Sequence, residues 1–312
     1  MDVSVVIVTR NTRALTLAAV SSVLSDPDGL QKEVIVVDNG STDGTGEQLG
    51  REFPTARHLY SERNLGFGRA NNAGVREGSG RFVLLLNSDA RLKPGALARA
   101  VTWMRAHPRC GIAGAQLLNP DGSWQNSIAN YPTLATELLN KSLLRRLFPA
   151  KFPGKENRFT EPVAVETVIG AFMLIRRECW ELTGGFDERF FFFFEETDLC
   201  LQAARRGWSV MHLPGVETWH EQGGSAKKVS AAARIEYWRS RYAYFAKNHG
   251  PATGLILRLG LLLRLGADWL ANGTATAITL GRAGRVRQRL AISSTLWVWH
   301  LRGCPASMGL PR

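Results

Sequence analysis

Three short runs of this chain are apolar at every position: Val3–Val8, Val34–Val37 and Phe82–Leu86, each rich in Val or Leu apart from a single Ser4. A strand with one wet face alternates apolar and polar side chains. A run without alternation needs both faces covered, as in a parallel sheet between helix layers. Helix-patterned segments lie between the runs, at Thr12–Leu24, Thr45–Glu52 and Gly68–Glu77. The alternation predicts an α/β fold with a doubly wound sheet. Ligands of such sheets bind beyond the carboxyl ends of the strands. Those ends are polar in all three cases: Thr9-Arg10-Asn11, then Asp38-Asn39-Gly40-Ser41-Thr42-Asp43-Gly44, then Asn87-Ser88-Asp89. Three in succession predict one shared cleft.

The chemistry available there is that of carboxylates and amides. Asp38 at a strand end suits a hydrogen bond from the imide N–H of uracil or thymine. The same residues, with Ser41 and Asp43, also suit an Asn-Gly/Asp-Gly turn with helix capping. Asp89 closes a wholly apolar strand, where a carboxylate needs a partner. A divalent cation is one, because Mg²⁺ or Mn²⁺ takes one or two carboxylates plus substrate phosphates. A strand-end cap before Pro94 is the other reading. Residues 63–74 (RNLGFGRANNAG) combine glycines that admit close approach with Arg63 and Arg69, which suit a phosphate. The segment is not a Rossmann fingerprint, and a Gly-rich lead into a helix accounts for it equally well.

Further along, Val165–Ile175 is strand-like, and a Gly-Gly turn stands at 184–185. Five consecutive Phe, Phe190–Phe194, precede Glu195, Glu196 and Asp198 and a helix running to Arg206. Burial against aromatics and mutual repulsion raise a carboxylate's pKa, which tunes it as a general base; acids at a helix N-terminus are also favoured by the dipole. The Phe run itself reads as core. His220 precedes a Gly-rich stretch, where a metal-ligand and a structural role are evenly matched. Ala231–Asn248 reads as a helix rich in Arg and Tyr.

Four dispersed cysteines without a CxxC pair suit reduced thiols and no zinc site. The chain opens into a strand without a charged leader, so no signal peptide is expected. No stretch is apolar enough to span a bilayer. The net charge is +12, but seven of those charges come from Pro251–Arg312, with eight Arg, no Lys and one Asp. A general nucleic-acid footprint is therefore not expected, and the basic tail is the feature to explain. Its opening, residues 255–270, is apolar but broken by Arg258 and Arg264, and Leu138–Phe148 is of similar character. With Arg282, Arg285, Arg287 and Arg289, the tail suits an anionic membrane surface. Packing on the catalytic domain or a dimer contact is the alternative.

Seven segments in order resemble family-2 glycosyltransferases of the GT-A fold, in particular the bacterial rhamnosyltransferase-like branch. They are VSVVIVTRN (3–11), VDNGSTDGT (37–45), RNLGFGRANNAG (63–74), LLLNSDA (84–90), GAFMLIRRE (170–178), GGFDERFFFFFEETDLC (184–200) and WHEQGG (219–224). The resemblance implies a Rossmann-like, mostly parallel mixed sheet flanked by helices over 1–250, with a donor half at 1–115 and an acceptor and catalytic half at 116–250. A basic amphipathic helical tail follows at 251–312. It implies donor binding by Thr9, Arg10, Asn11, Asp38, Asn39, Ser41, Asp43, Asn64, Gly66, Arg69, Asn72, Asn87, Ser88 and Asp89. Asp89 matches the last acid of the family's DxD metal motif, with Asn87 in place of the first. Asp89 and His220 would hold Mg²⁺ or Mn²⁺. Glu196 is the expected base, with Glu195 as runner-up and Asp198 in the same acidic cluster. Gly170, Ala171 and Trp219 fall on the acceptor side. Gln202 stands where relatives carry Arg, so a counter-charge for the acidic cluster is expected to be missing.

The activity so implied is an inverting single displacement from a dTDP- or UDP-linked sugar, rhamnose among the candidates, onto a glycan or polyprenyl-linked hydroxyl. The expected location is cytoplasmic, at the inner face of the membrane. Two rivals remain. A sugar-nucleotide pyrophosphorylase would want a Gly-rich basic loop after the first strand, where only TRNT stands. A non-catalytic nucleotide-binding homologue would not need the intact acidic cluster.

Overall fold

The computed structural model describes residues 1–27, 29–148, 158–221 and 231–312. The elements run β1 (Val3–Thr9), α1 (Arg13–Leu24), β2 (Lys32–Asp38), α2 (Thr45–Glu52), β3 (Arg57–Tyr60), α3 (Phe67–Glu77), β4 (Phe82–Asn87), β5 (Ala90–Leu92), α4 (Ala96–Ala106) and β6 (Cys110–Leu118). Then come β7 (Ile128–Ala129), α5 (Leu134–Leu138), α6 (Lys141–Leu147), β8 (Val163–Ala164), β9 (Thr167–Val168), β10 (Phe172–Arg176), α7 (Arg177–Thr183) and α8 (Glu195–Arg205). The chain closes with β11 (Ser209–His220), α9 (Ala231–Asn248), α10 (Pro251–Ile278) and α11 (Gly284–Leu301).

The main sheet has the order β3-β2-β1-β4-β10-β6-β11-β5, with β8 on β11. The first four strands are parallel, as the uninterrupted apolar runs require, and their buried side chains contact helices on both faces. β10 inserts antiparallel between β4 and β6, and β5 pairs antiparallel with the end of β11. The result is the mixed, mostly parallel sheet of a GT-A fold. Helix α3 lies close on β1 and β2: a Cβ on Gly74 would stand 2.5 Å from Val6 Cγ1 and 2.9 Å from Val37 Cγ2. Only glycine lets this helix sit so deep.

Two segments differ from the sequence expectation. Val165–Ile175 is not one strand. β9 pairs with β7 in a separate small sheet, and the chain turns at Gly170-Ala171 before β10 enters the main sheet. β6 is buried at all nine positions, yet its Gly and Ala residues carry little strand propensity. The tail is two long helices packed on the rest of the chain. Leu257, Leu261, Leu265, Leu296 and Trp299 share a core with Phe190, Phe194, Ile235, Tyr244 and Phe245. The Phe run is largely core, as expected: Phe190, Phe191 and Phe194 are buried. Among the described residues, no helix is long and apolar enough to cross a membrane.

Candidate active site

Register brings the polar strand ends into line. Thr9 pairs with Asp38, Val8 with Asn87, and the Asn87 N–H donates to the Ala171 carbonyl at 3.1 Å. The cleft edge thus runs from β2 through β1 and β4 to the turn before β10.

On the β1–β2 side the side chains mostly shape loops. The Thr9 hydroxyl is buried and shares hydrogen bonds with Thr12 (3.0 Å) and Thr16 (2.7 Å), while Thr12 donates to Ser88 at 3.1 Å. This hydroxyl chain ties β1 to the Asn87-Ser88-Asp89 loop. Asn11, in the left-handed region at φ 53°, accepts from the Thr42 N–H, and its own N–H donates to Ser41. Asp43 accepts from the backbone N–H groups of Arg13 and Thr45, so it joins the α1 and α2 entries. Asp38 is 1% exposed; it accepts from the Ser41 N–H at 2.8 Å, and His58 Nε2 lies 3.7 Å from its other oxygen. Arg10 is exposed at the cleft end of β1.

The 63–66 loop, the candidate donor loop, is built on amides. Asn39 Nδ2 donates to Asn64 Oδ1 (2.8 Å) and to the Gly66 carbonyl (3.2 Å), and the Leu65 N–H donates to Asn39 Oδ1 (2.7 Å). Gly66 has φ 84°, and a Cβ there would lie 2.5 Å from the Phe191 carbonyl, so both conformation and space demand glycine. Asn72 grips the Phe186 backbone through both its amide atoms, at 2.8 and 3.0 Å. It therefore staples the Gly-Gly turn to α3 and is not aimed at a ligand. Arg69 pairs with Glu188 at 3.1 Å on the surface.

The metal candidates meet. The Asp89 and His220 side chains approach at 3.3 Å, and both are nearly buried. Gln125, which sequence reasoning missed, sets the geometry. Its Nε2 donates to the His220 and Leu118 carbonyls, so its Oε1 accepts from His220 Nδ1 at 3.0 Å. That bond puts a proton on Nδ1 and turns Nε2 toward a carboxylate oxygen. A ring nitrogen and a carboxylate oxygen at this separation suit a cation between them when Nε2 carries no proton, and an ion pair when it does. Asn87 Oδ1, buried without a hydrogen bond, offers another oxygen at the same strand end. The candidate donors are thus one carboxylate and one imidazole; among the described residues no group of three or more His, Cys, Asp or Glu that could hold a metal ion exists. Residues 222–224 of the WHEQGG segment lie outside the described residues.

The acidic cluster divides. Glu195 and Glu196 open α8, and each keeps one buried carboxylate oxygen without a hydrogen bond. Burial pushes both carboxyls up, with repulsion from Glu196 adding to burial at Glu195. The chain enters α8 through Phe193 and Phe194 at φ 74° and 72°. Such conformations are costly for aromatic residues and collect at functional sites. Gly170 lies against Glu196, 3.8 Å from its would-be Cβ to Glu196 Cβ, which sets the base candidate beside the Ala171–Asn87 contact. Asp198 turns to α9. Its oxygens accept from Lys247 Nζ (2.6 Å) and Asn248 Nδ2 (2.9 Å), so its carboxylate is committed to an ion pair there. Lys247 supplies the counter-charge that Gln202 lacks; nothing local in the sequence links residue 247 to this cluster. Trp219 is also corrected. In an extended strand it points to the face opposite His220, where Arg91 and Lys93 lie 5.5 Å from its ring.

A mostly parallel mixed sheet flanked by helices, with Asp38 and Asp89 closing the strands on either side of β1, is the architecture of a GT-A glycosyltransferase. The chain belongs to Glycosyl transferase family 2, whose match spans residues 4–183. It resembles the rhamnosyltransferase branch. It is 29% identical over 231 residues to the N-acetylglucosaminyl-diphospho-decaprenol L-rhamnosyltransferase of Mycobacterium tuberculosis, covering 69% of this chain and 75% of that one. It is 23% identical over 261 residues to the dTDP-rhamnosyl transferase RfbF of Shigella flexneri, covering 80% and 82%. The fold is shared with the mannosyltransferase PcManGT from Pyrobaculum calidifontis, solved in complex with GDP-Man and Mn²⁺: TM-score 0.55, 18% identity, 96% of this chain and 87% of that one.

Proposed function

We propose that this glycosyltransferase moves a hexose, with rhamnose the first candidate, from a dTDP- or UDP-linked donor to a hydroxyl of a lipid-linked or glycan acceptor, inverting the anomeric carbon. The observation that carries the reading is the Glu195-Glu196 pair at the start of α8, with Glu196 beside Gly170 and each carboxylate keeping one buried oxygen without a hydrogen bond. A base must be deprotonated to act yet basic enough to take a proton, and burial brings a carboxylate towards that balance. The relatives named for rhamnosyl transfer support the sugar, and the decaprenol-linked substrate in one name supports a lipid-linked acceptor.

Asp38 would accept the base N–H of the nucleotide, and the Asn39–Asn64–Gly66 turn would hold its ribose-phosphate side. Asp89 and His220 would hold Mg²⁺ or Mn²⁺, which neutralises charge on the diphosphate when bound. Glu196 takes the proton of the acceptor hydroxyl. The oxygen forms a bond to the anomeric carbon from the face opposite the nucleotide. The bond from that carbon to the diphosphate oxygen breaks, and its electron pair leaves with the nucleoside diphosphate. Repulsion from Glu196 adds to burial in disfavouring a charge on Glu195 beside the base.

The tail belongs to the same reading. Leu255, Ile256, Leu259 and Leu263 of α10 are more than half exposed, as are Leu139, Leu143, Leu147 and Phe148. The two sets are neighbours, since a Cβ on Gly260 would lie 2.7 Å from Leu138 Cδ2. A wide apolar patch flanked by Arg suits the surface of an anionic membrane at the cytoplasmic face, where a polyprenyl-linked acceptor would sit.

The test is transfer from dTDP-rhamnose, UDP-glucose and UDP-N-acetylglucosamine to a short polyprenyl-diphospho-N-acetylglucosamine, with the product's anomeric configuration read by NMR. Inverted product that disappears in Glu196→Gln is expected. Retained configuration, or full activity in that variant, would overturn the mechanism.

A further inference from the structure

The segment after α11 does more than end the tail. Trp299 Nε1 donates to the Pro305 carbonyl at 3.2 Å, and Arg239 of α9 donates to the Pro305 and Ala306 carbonyls at 2.9 and 3.4 Å. Arg239 also pairs with Glu236, a carboxylate with no solvent exposure. Glu236 in turn accepts from the Leu310 N–H, and Arg312 Nη2 lies 3.3 Å from its Oε1. A Cβ on Gly309 would fall 2.5 Å from Glu236 Oε2, so the backbone is pressed onto this carboxylate. Thus fastened, the segment reaches the donor loop. Asn64 Nδ2 donates to the Pro311 carbonyl at 2.7 Å. The Arg312 guanidinium stacks 4.6 Å from the Phe191 ring, and the Phe191 carbonyl accepts the Phe67 N–H at 2.8 Å at the start of α3.

Asn64 is therefore held at both ends of its amide. Its Oδ1 builds the loop with Asn39 and Gly66, and one N–H of its Nδ2 is taken by Pro311. It shapes the turn. We infer that residues 309–312 form a strap that holds the donor loop in its binding shape, with Arg312 and Glu236 as positioning residues for the nucleotide. The strap presses on the loop from the Phe191 side, and it couples the tail to the donor site. This inference rests on the donor-site reading above. The buried anchor makes the strap a standing part of the site and not a transient lid. Arg312 is the adjustable member, because its side chain is 45% exposed while that of Glu236 is fully buried.

The test compares wild type with Arg312→Ala, Arg312→Lys and a deletion of residues 310–312. Two readouts are taken: hydrogen exchange at the amides of residues 65–67 in ligand-free protein, and calorimetric affinity for dTDP and UDP in Mn²⁺. The strap predicts faster exchange at those amides in the deletion and in Arg312→Ala. It predicts roughly tenfold weaker nucleotide binding in the deletion, the scale of one lost hydrogen bond to a charged group. Arg312→Lys should recover part of both, at an unchanged thermal midpoint. Unchanged exchange and affinity in a wild type that binds nucleotide would overturn the strap and leave the donor site standing. Tighter binding in the deletion would overturn it too, since the segment would then be covering the site. Faster loop exchange in a protein that binds no nucleotide would retain the strap as a loop clamp and reject the donor-site reading.

Discussion

Glu196 and Glu195 are neighbours in sequence, and the proposed mechanism gives them different work. Replacing Glu196 by Gln keeps shape and removes the base; we expect transfer to fall by about 10²–10⁴-fold, the usual worth of a general base, with nucleotide affinity kept. The acid limb of kcat/KM in wild type should lie above the ordinary glutamate range near ~4.3, since burial raises the base. A pH profile with its limb below that range would contradict the assignment. Glu195 affects stability. Its carboxyl is raised in the folded chain by burial, then by Glu196, so above the unfolded pKa the folded state binds more protons than the unfolded one. Stability is therefore lost as pH rises from about 4.3 through the folded value. Glu195→Gln should melt higher than wild type at pH 8 and no higher at pH 4, read by thermal unfolding at both. At this scale the sequence was informative where a polar residue closed an apolar run, as at Asp38 and Asp89. It was silent where a partner lay far along the chain. Gln125 on His220, Lys247 on Asp198 and Phe186 on Asn72 are all long-range pairings that no local pattern announces.

Helices α8 and α9 are joined by charge as well as by packing. Lys247 bridges Asp198 and Asp187 at 2.6 and 2.7 Å. Burial alone would raise the Asp187 carboxyl, but hydrogen bonds from Arg189 and Lys247 outweigh it and hold the group well below the usual range. Lys247→Ala leaves Asp198 buried without its cation, and we expect a loss of about 3 kcal/mol. A lowered carboxylate stabilises the fold above its unfolded pKa and ceases to do so as pH falls through the folded value. The difference between Lys247→Ala and wild type should therefore shrink in acid; denaturant unfolding at pH 7 and pH 3 checks it. Elements with strong periodicity were legible: α2 and α9 begin and end where the pattern puts them. β6 and the β9–β10 break were not, because small residues in one and Gly170 in the other weaken the strand signal, and sheet pairing decides both.

At the level of the whole molecule the tail is a double-sided element. One side completes the aromatic core around Phe190 and Phe194, and the other exposes leucines above half of their surface. Apolar-plus-basic composition made a helical tail legible, but not how it seats on the rest of the chain, since that depends on α9. Placing charge at Leu259 and Leu263 should abolish flotation with vesicles of phosphatidylglycerol while leaving the melting temperature within a few degrees, because both side chains face solvent. Flotation that survives both substitutions would move the membrane contact elsewhere.

The central claim is a nucleotide-sugar site at the carboxyl ends of β1, β2 and β4, completed by Asp89 and His220. Thermal unfolding with dTDP, UDP and GDP, each with and without Mn²⁺, on wild type and Asp89→Ala, tests it most directly, because a ligand that binds only the folded state raises the midpoint. The site predicts a base-selective rise that needs Mn²⁺ and is lost in Asp89→Ala. A rise of equal size in Asp89→Ala, or none with any nucleotide in wild type, would contradict it.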